Sequence, residues 1–189
     1  RHASSCGLPY CVGKCMNASS TRTLRVFVAG WVIQDGSFPR ASVGDLADVA
    51  LEHYSLTDTP SPCDETRTAT ARPAYGRAPS MHRDGRLLWL HLVYGDGWSA
   101  RWWNDEPTDG EITLTGTFNA MLTDFGVDAP PRVHGRIRLM HLAEKQVRST
   151  ENGWTTIDGT DQLTEIDAIP VAHDWWPSTD TKDGDFISS

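Results

Sequence analysis

Strand patterns occupy most of this sequence, and no run of ten or more residues shows the 3.6-residue hydrophobic period of a helix, apart from an ambiguity at 46–51. β-Branched and aromatic residues instead alternate with polar ones between turns rich in Gly, Pro and Asp. The pattern therefore predicts an all-β fold with little helix, mainly an antiparallel β-barrel or β-sandwich. The predicted β segments are 24–33, 49–54, 86–94, 98–103, 111–123, 132–147 and 153–176.

Length, composition and charge restrict the partners that we expect. The chain has 189 residues, of which 39% are hydrophobic, enough for one domain with a buried core. No segment approaches the ~18 consecutive apolar residues of a membrane span, so we expect no membrane partner. The net charge of −8 disfavours non-specific nucleic-acid binding, because neutralising phosphates requires an excess of Lys and Arg.

The amino-terminal residues 1–20 show no strand pattern and are predicted to be a disordered or non-native segment. Three of the four cysteines lie in this segment, with spacings that differ from those of zinc-finger pairs. If residues 1–15 are set aside, Cys63 remains alone and no disulfide framework can form. A lone cysteine, without a signal-peptide pattern, predicts a cytoplasmic location. The three amino-terminal cysteines are Cys6, Cys11 and Cys15.

Residues 21–177 are predicted to form a single β domain, followed by a flexible tail at 178–189. Within this domain, residues 57–80 are rich in Thr, Pro, Ser, Ala and Arg and carry almost no large apolar side chain. Such a segment has too few apolar groups to offset the entropy lost on ordering, roughly 1–2 kcal/mol per residue. We therefore predict a mobile surface insertion with little regular structure at 57–80.

Two nine-residue segments resemble each other: 85–93 (GRLLWLHLV) and 135–143 (GRIRLMHLA). Gly, Arg, His and the following Leu match, and most other positions exchange one apolar residue for another. A strand with a central Gly precedes each segment, and a Trp pair follows each. The repeat predicts two similar half-units, 24–103 and 111–176, related by a pseudo-twofold axis.

Two histidines occupy matching positions in this repeat. Strand alternation predicts that His91 and His141 both face the core. Joined by a carboxylate such as Asp96 or Asp174, two inward histidines could bind a metal ion. The alternative is that each histidine forms hydrogen bonds and fills space in the core, which is the commoner role of a buried polar group.

Tryptophan is unusually frequent, with eight residues, and it occurs in two adjacent pairs beside acidic residues. The pairs are Trp102–Trp103 and Trp175–Trp176. An aromatic surface flanked by carboxylates suits a sugar ring or a basic, partly apolar partner surface. Adjacent residues of a strand point to opposite faces, so at least one Trp of each pair is predicted to be structural.

The sequence contains no nucleophile elbow, P-loop, HExxH zinc motif or dinucleotide-binding motif. We therefore predict a non-catalytic β domain, without a cofactor, that binds a partner protein or a small ligand through a Trp-rich acidic surface. Its predicted ligand-binding residues are Trp102, Trp103, Trp175, Trp176, His91 and His141. One alternative is a metal-assisted hydrolase that uses His91 and His141. Another is an oligonucleotide-binding barrel that uses Arg101, Trp102 and Trp103, which the acidic charge disfavours.

Overall fold

The computed structural model of the chain describes most of its residues and is mostly β. The described residues are 11–16, 23–34, 36–55, 60–74, 79–81, 85–121, 130–151, 153–170 and 181–188. Strands dominate this part of the chain and one short helix accompanies them, so the predicted all-β class with little helix is confirmed.

The described elements follow one another in a fixed order along the chain. They are β1 (Cys11–Met16), β2 (Thr23–Phe27), α1 (Gly30–Gln34), β3 (Leu46–Ser55), β4 (Glu65–Pro73), β5 (Ser80–Met81), β6 (Leu87–Gly95), β7 (Trp98–Asn104), β8 (Gly110–Met121), β9 (Val133–Ile137), β10 (Met140–Thr150), β11 (Gly153–Thr156), β12 (Gln162–Ile166) and β13 (Phe186–Ser188). β1 to β9 build a nine-stranded mixed sheet, and β10 to β13 build a smaller sheet around β10.

The two longest strands of the large sheet, β3 and β8, connect its other strands. They pair antiparallel with each other, β3 also pairs with β9 and β7, and β8 also pairs with β4 and β2. The pairs β4–β6, β6–β7, β1–β2 and β1–β9 complete the sheet. The pairings therefore trace two closed circuits that share two strands, β3–β7–β6–β4–β8 and β3–β9–β1–β2–β8.

Two hydrophobic clusters hold the sheets together. The larger cluster includes Leu51, Val93, Ala100 and Phe118, which have no measurable exposure. The smaller cluster consists of Phe27, Cys63, Leu142 and Ala143, and thereby packs β10 of the small sheet against β2 of the large one. Burial of these apolar side chains provides the main stabilising contribution, as in other β proteins.

Several predicted strands are confirmed. Residues 49–54 lie in β3, and residues 86–103 form the hairpin β6–β7, in which Gly97 of the Asp–Gly turn has φ of 82°. Residues 111–121 lie in β8. The region 132–147, predicted as a long strand or a bent pair, contains β9 and the first part of β10.

The predicted strand at 24–33 is wrong in its second half. β2 ends at Phe27, and Gly30–Gln34 forms the helix α1. The Val32 amide donates to the Ala29 carbonyl, and both Val32 and Ile33 are buried. Burial in the core thus outweighs the strand preference of these β-branched residues, because intrinsic propensity is weaker than tertiary packing.

The prediction that residues 57–80 lack regular structure is also wrong in the middle of the segment. Glu65–Pro73 forms β4, which pairs with both β8 and β6. Ala69 and Ala71 are buried, whereas the residues between them are exposed. The alternation is therefore real, but small Ala side chains form its inward face and large apolar ones are missing. Residues 56–59 and 75–78 lie outside the described residues.

The amino-terminal segment differs from its prediction where the structure describes it. Cys11–Met16, placed in a disordered or non-native segment from the sequence, forms β1 and pairs with β2 and β9. Cys63 is buried and disulfide-bonded, so its interpretation as a lone thiol is wrong. The remaining cysteines of the chain all precede Met16, so the partner comes from the first fifteen residues. The argument from a lone cysteine to a cytoplasmic location therefore loses its premise.

The two segments of the sequence repeat adopt different structures. In the first segment, Gly85 has φ of 82° and the residues from Leu87 onward form one strand, β6. The second segment is divided between β9 and β10, and its Gly135 lies inside β9. In the predicted flexible tail, Phe186–Ser188 forms β13 and pairs with β10.

Candidate functional site

Five polar and aromatic side chains lie together on β3, β7 and β8. Strand pairing places Glu52 opposite both Arg101 and Asn119. Tyr54 and Trp103 follow two residues later on β3 and β7, so strand alternation places them on the same face. The neighbouring residues on the opposite face, Leu51 and Phe118 among them, belong to the core. We call Glu52, Tyr54, Arg101, Trp103 and Asn119 the Glu52 patch.

The carboxylate of Glu52 organises this patch. The Tyr54 hydroxyl donates to Glu52 Oε2 at 2.9 Å, and the Trp103 indole Nε1 donates to Glu52 Oε1 at 2.8 Å. The Glu52 residue is only 8% exposed, whereas Tyr54 is 50% exposed. One buried carboxylate therefore orients two aromatic rings, one of which reaches well into solvent.

Arg101 balances the charge of Glu52 within the patch. Its residue is buried, and its guanidinium carbon lies 5.6 Å from the centroid of the Trp103 ring. This distance is within the range of a cation–π interaction. The patch thus contains one negative and one positive side chain on neighbouring strands, both largely removed from water.

Asn119 contributes an acceptor that is not used within the described part of the chain. Its Oδ1 atom is buried and has no hydrogen-bond partner among the described residues. A buried acceptor without a partner costs roughly 1–3 kcal/mol, so such atoms are rare and are often found where a ligand or water binds.

The predicted alternation within the first Trp pair is confirmed. Trp102 is 8% exposed and belongs to the larger hydrophobic cluster, and its Nε1 donates to Ser55 Oγ at 3.1 Å. Trp103 lies on the opposite face, in the Glu52 patch. Trp102 therefore packs in the core and Trp103 remains available to a ligand. Trp175 and Trp176 lie outside the described residues.

His91 faces inward, as predicted, and both of its ring nitrogens are used. The Thr108 amide donates to Nε2 at 2.8 Å, which leaves the proton on Nδ1 to donate to the Trp89 carbonyl at 3.0 Å. Burial lowers the pKa of His91, against two backbone hydrogen bonds that raise it. This geometry corresponds to the structural alternative, in which a neutral histidine fixes the 105–109 loop against β6.

The prediction that His141 faces the core is wrong. His141 is only partly buried and pairs with Glu165 of β12, whereas Met140 and Leu142 on either side of it are buried. The small sheet packs against the rest of the molecule through Met140 and Leu142, which turns His141 to the opposite face.

The described residues do not assemble the predicted metal site. His91 and His141 belong to different sheets. Within the described ranges, no group of three or more His, Cys, Asp and Glu residues could hold a metal ion. Asp96 is exposed in the turn between β6 and β7, and Asp174 lies outside the described residues.

A third buried histidine, His53, was not singled out from the sequence as a functional residue. It is 2% exposed, and its ring centroid lies 4.9 Å from that of Phe118 in an edge-on contact. Neither ring nitrogen has a hydrogen-bond partner in the part of the chain that the structure describes. Burial lowers the pKa of His53 to about 4, against the nearby Asp64 carboxylate, which raises it. The alternation of Val49, Leu51 and His53 is the sequence signal for this position.

The sequence analysis identified Trp103 but missed Glu52, Tyr54 and Asn119. Alternation within β3 separates Glu52 and Tyr54 from the core-facing residues, and this signal is visible in the sequence. Their proximity to Trp103 and Asn119 depends on strand register, which a single sequence does not reveal.

Comparisons with known proteins give no further information on this patch. In the described part of the chain, no helix has both the length and the apolar character needed to span a membrane. Protein-family models, curated proteins and solved structures all yield no match to the chain.

Proposed function

We propose that this chain is a non-catalytic β domain that binds a small ligand at the Glu52 patch. Trp103 and Tyr54 would provide the aromatic surface, and Glu52, Arg101 and Asn119 the polar groups. Of the binding residues predicted from the sequence, this proposal keeps Trp103. It assigns Trp102 and His91 to the core, and it makes no use of His141.

The arrangement of Glu52 carries this proposal. Its buried carboxylate accepts hydrogen bonds from both aromatic side chains of the patch. Burying a carboxylate and a guanidinium costs desolvation energy, and hydrophobic residues in their place are often as stable or more so. Stability alone therefore gives little reason for this network. A network that fixes aromatic rings in advance is what a binding site needs, because less order is then lost on binding.

A thermal-shift screen of chemically diverse small molecules tests this proposal. We expect at least one compound class to raise the melting temperature of the wild-type protein, since ligands that bind only the folded state stabilise it. The Trp103→Phe variant should fold and lose this shift, whereas the control variant Leu163→Thr on the small sheet should keep it. Shifts that survive in Trp103→Phe, or the absence of any shift, would contradict the proposal.

A second candidate function, single-stranded oligonucleotide binding, is favoured by one observation. The β3–β7–β6–β4–β8 circuit contains five strands, and we propose that it closes as a small barrel of the kind that binds oligonucleotides. Arg101 and Trp103 are suitable for base stacking. The net charge of −8 opposes this function. Labelled oligonucleotides at low salt should therefore show no change in fluorescence anisotropy, and a change that Trp103→Phe abolishes would favour this candidate instead.

We also propose that the large sheet contains two related units with boundaries different from those of the sequence repeat. In this correspondence β3, β4, β6 and β7 match β8, β9, β1 and β2. The pairing pattern supports it, because β3 is parallel to β7 as β8 is parallel to β2. Likewise, the antiparallel pairs β4–β8, β4–β6 and β6–β7 match β9–β3, β9–β1 and β1–β2. A crystal structure in which these units fail to superpose would contradict this arrangement.

A further inference from the structure

We infer that the ligand of the Glu52 patch is a neutral ring bearing several hydroxyl groups, such as a sugar residue. This inference rests on the proposed function, because it names the class of ligand for the same site. Three properties of the patch support it: its charge balance, its hydrogen-bonding groups and its aromatic surface.

The charge balance of the patch disfavours charged ligands. Glu52 and Arg101 occupy paired positions on β3 and β7, and both are 8% exposed. A cationic ligand would meet the Arg101 guanidinium, and an anionic one the Glu52 carboxylate, both with little water to screen them. A ligand without net charge avoids both unfavourable contacts.

The hydrogen-bonding groups of the patch require a partner that both donates and accepts. Each Glu52 carboxylate oxygen already accepts one hydrogen bond and can accept another, and Asn119 Oδ1 has none within the described residues. Arg101 can only donate. A hydroxyl group both donates and accepts, so a ligand with several hydroxyls can match these groups at once. Contact with the buried Asn119 oxygen requires a small movement of its neighbours.

The aromatic surface of the patch favours a ring with an apolar face. Tyr54 is half exposed and Trp103 is partly exposed, and Arg101 lies over the Trp103 ring. Large aromatic side chains provide apolar contact area at a low cost in conformational entropy. A sugar ring combines an apolar face of C–H groups with hydroxyls at its rim, and it therefore fits both parts of the patch.

Three matched probes test this inference: methyl glucoside, glucuronic acid and glucosamine, each titrated against the wild-type protein by saturation-transfer NMR. We expect methyl glucoside to bind at least about fivefold more tightly than either charged probe, since one unfavourable charge contact costs about 1 kcal/mol. A parallel set based on galactose guards against a mismatch of ring stereochemistry. Tighter binding of a charged probe in both sets would overturn the inference.

Two charge variants provide a sharper control, because each leaves one charge of the patch unbalanced. Glu52→Gln should shift the preference toward glucuronic acid, and Arg101→Met should shift it toward glucosamine, by about fivefold in each case. Dispersed amide spectra would show that both variants fold. Unchanged preferences in folded variants would overturn the inference.

The outcomes separate this inference from the proposed function. If no sugar of either set binds but another compound class binds and requires Trp103, the ligand class is wrong and the site is right. If no compound binding depends on Trp103, the proposed function itself is wrong.

Discussion

Two adjacent tryptophans in β7 have different surroundings because successive residues of a strand point to opposite faces. Trp102 packs with Leu51 and Phe118 in the core, and Trp103 packs in the Glu52 patch. Adjacent residues of the same type thus serve stability and, in our proposal, binding. The sequence alone indicated that one Trp of the pair is structural, but it did not show which one.

Alanine substitutions should separate these two roles. Trp102→Ala should lower the free energy of unfolding by about 3–5 kcal/mol, because it opens a large cavity in the core. Trp103→Ala removes a partly exposed side chain and one hydrogen bond, and should cost less than about 2 kcal/mol. Urea unfolding monitored by circular dichroism measures both values. Equal losses, or a larger loss for Trp103→Ala, would contradict the assignment of the two faces.

The buried His53 makes stability depend on pH. Its pKa is lowered to about 4 in the folded protein, while an unfolded histidine titrates near ~6.5. Between these values the unfolded chain binds a proton that the folded chain does not. Stability therefore falls as pH decreases from about 6.5 to about 4, by a total of about 3 kcal/mol from this residue.

The variant His53→Leu isolates this contribution. Urea unfolding at pH 7, 6, 5 and 4 should show a smaller loss of stability in His53→Leu than in the wild-type protein. Carboxylates and His91 titrate in both proteins, so the difference between the two curves reports His53. Parallel curves for the two proteins would show that His53 is not buried in a neutral form.

At the scale of elements, alternation predicted most strands where large apolar residues form the inward face. It failed where the inward face consists of alanine, as in β4, because Ala69 and Ala71 provide little hydrophobic contrast. It also failed at α1, where Val32 and Ile33 have strand propensity but are buried on a helical turn. Both failures arise because tertiary contacts outweigh the local pattern.

The Cys63 disulfide ties the connection between β3 and β4 to the amino-terminal segment that supplies β1. It closes a loop of about 50 residues, and in the chain-entropy description such a crosslink stabilises the folded state by about 4 kcal/mol. Reduction with a phosphine should therefore lower the free energy of unfolding by several kcal/mol. A Cys63→Ser variant should show the same loss and no further response to the reductant.

Thiol titration under denaturing conditions provides the direct control for this disulfide. With one bond the chain should show two free thiols before reduction and four after it, and with two bonds none before reduction. Four free thiols in protein purified without reductant would contradict the crosslink. Unchanged stability after complete reduction would contradict its structural role.

At the scale of the whole molecule, the candidate site joins residues that are far apart in the sequence. Glu52, Arg101 and Asn119 come from three strands, and only the register of β3 with β7 and β8 brings them together. The sequence could predict the strands and the importance of Trp103, but not this register. The repeat was a poor guide for a related reason: short apolar strands resemble one another by chance, and its two copies lie in β6 and in β9 with β10.

The indole N–H signals of the two neighbouring tryptophans test the central claim most directly. In protein labelled with ¹⁵N-tryptophan, Trp103→Phe and Trp102→Phe assign the two signals. A ligand that binds the Glu52 patch should shift the Trp103 signal strongly, because this N–H donates to Glu52. The Trp102 signal, which comes from the core, should move little. A ligand that stabilises the protein but leaves the Trp103 signal unchanged would contradict the claim that this patch is the binding site.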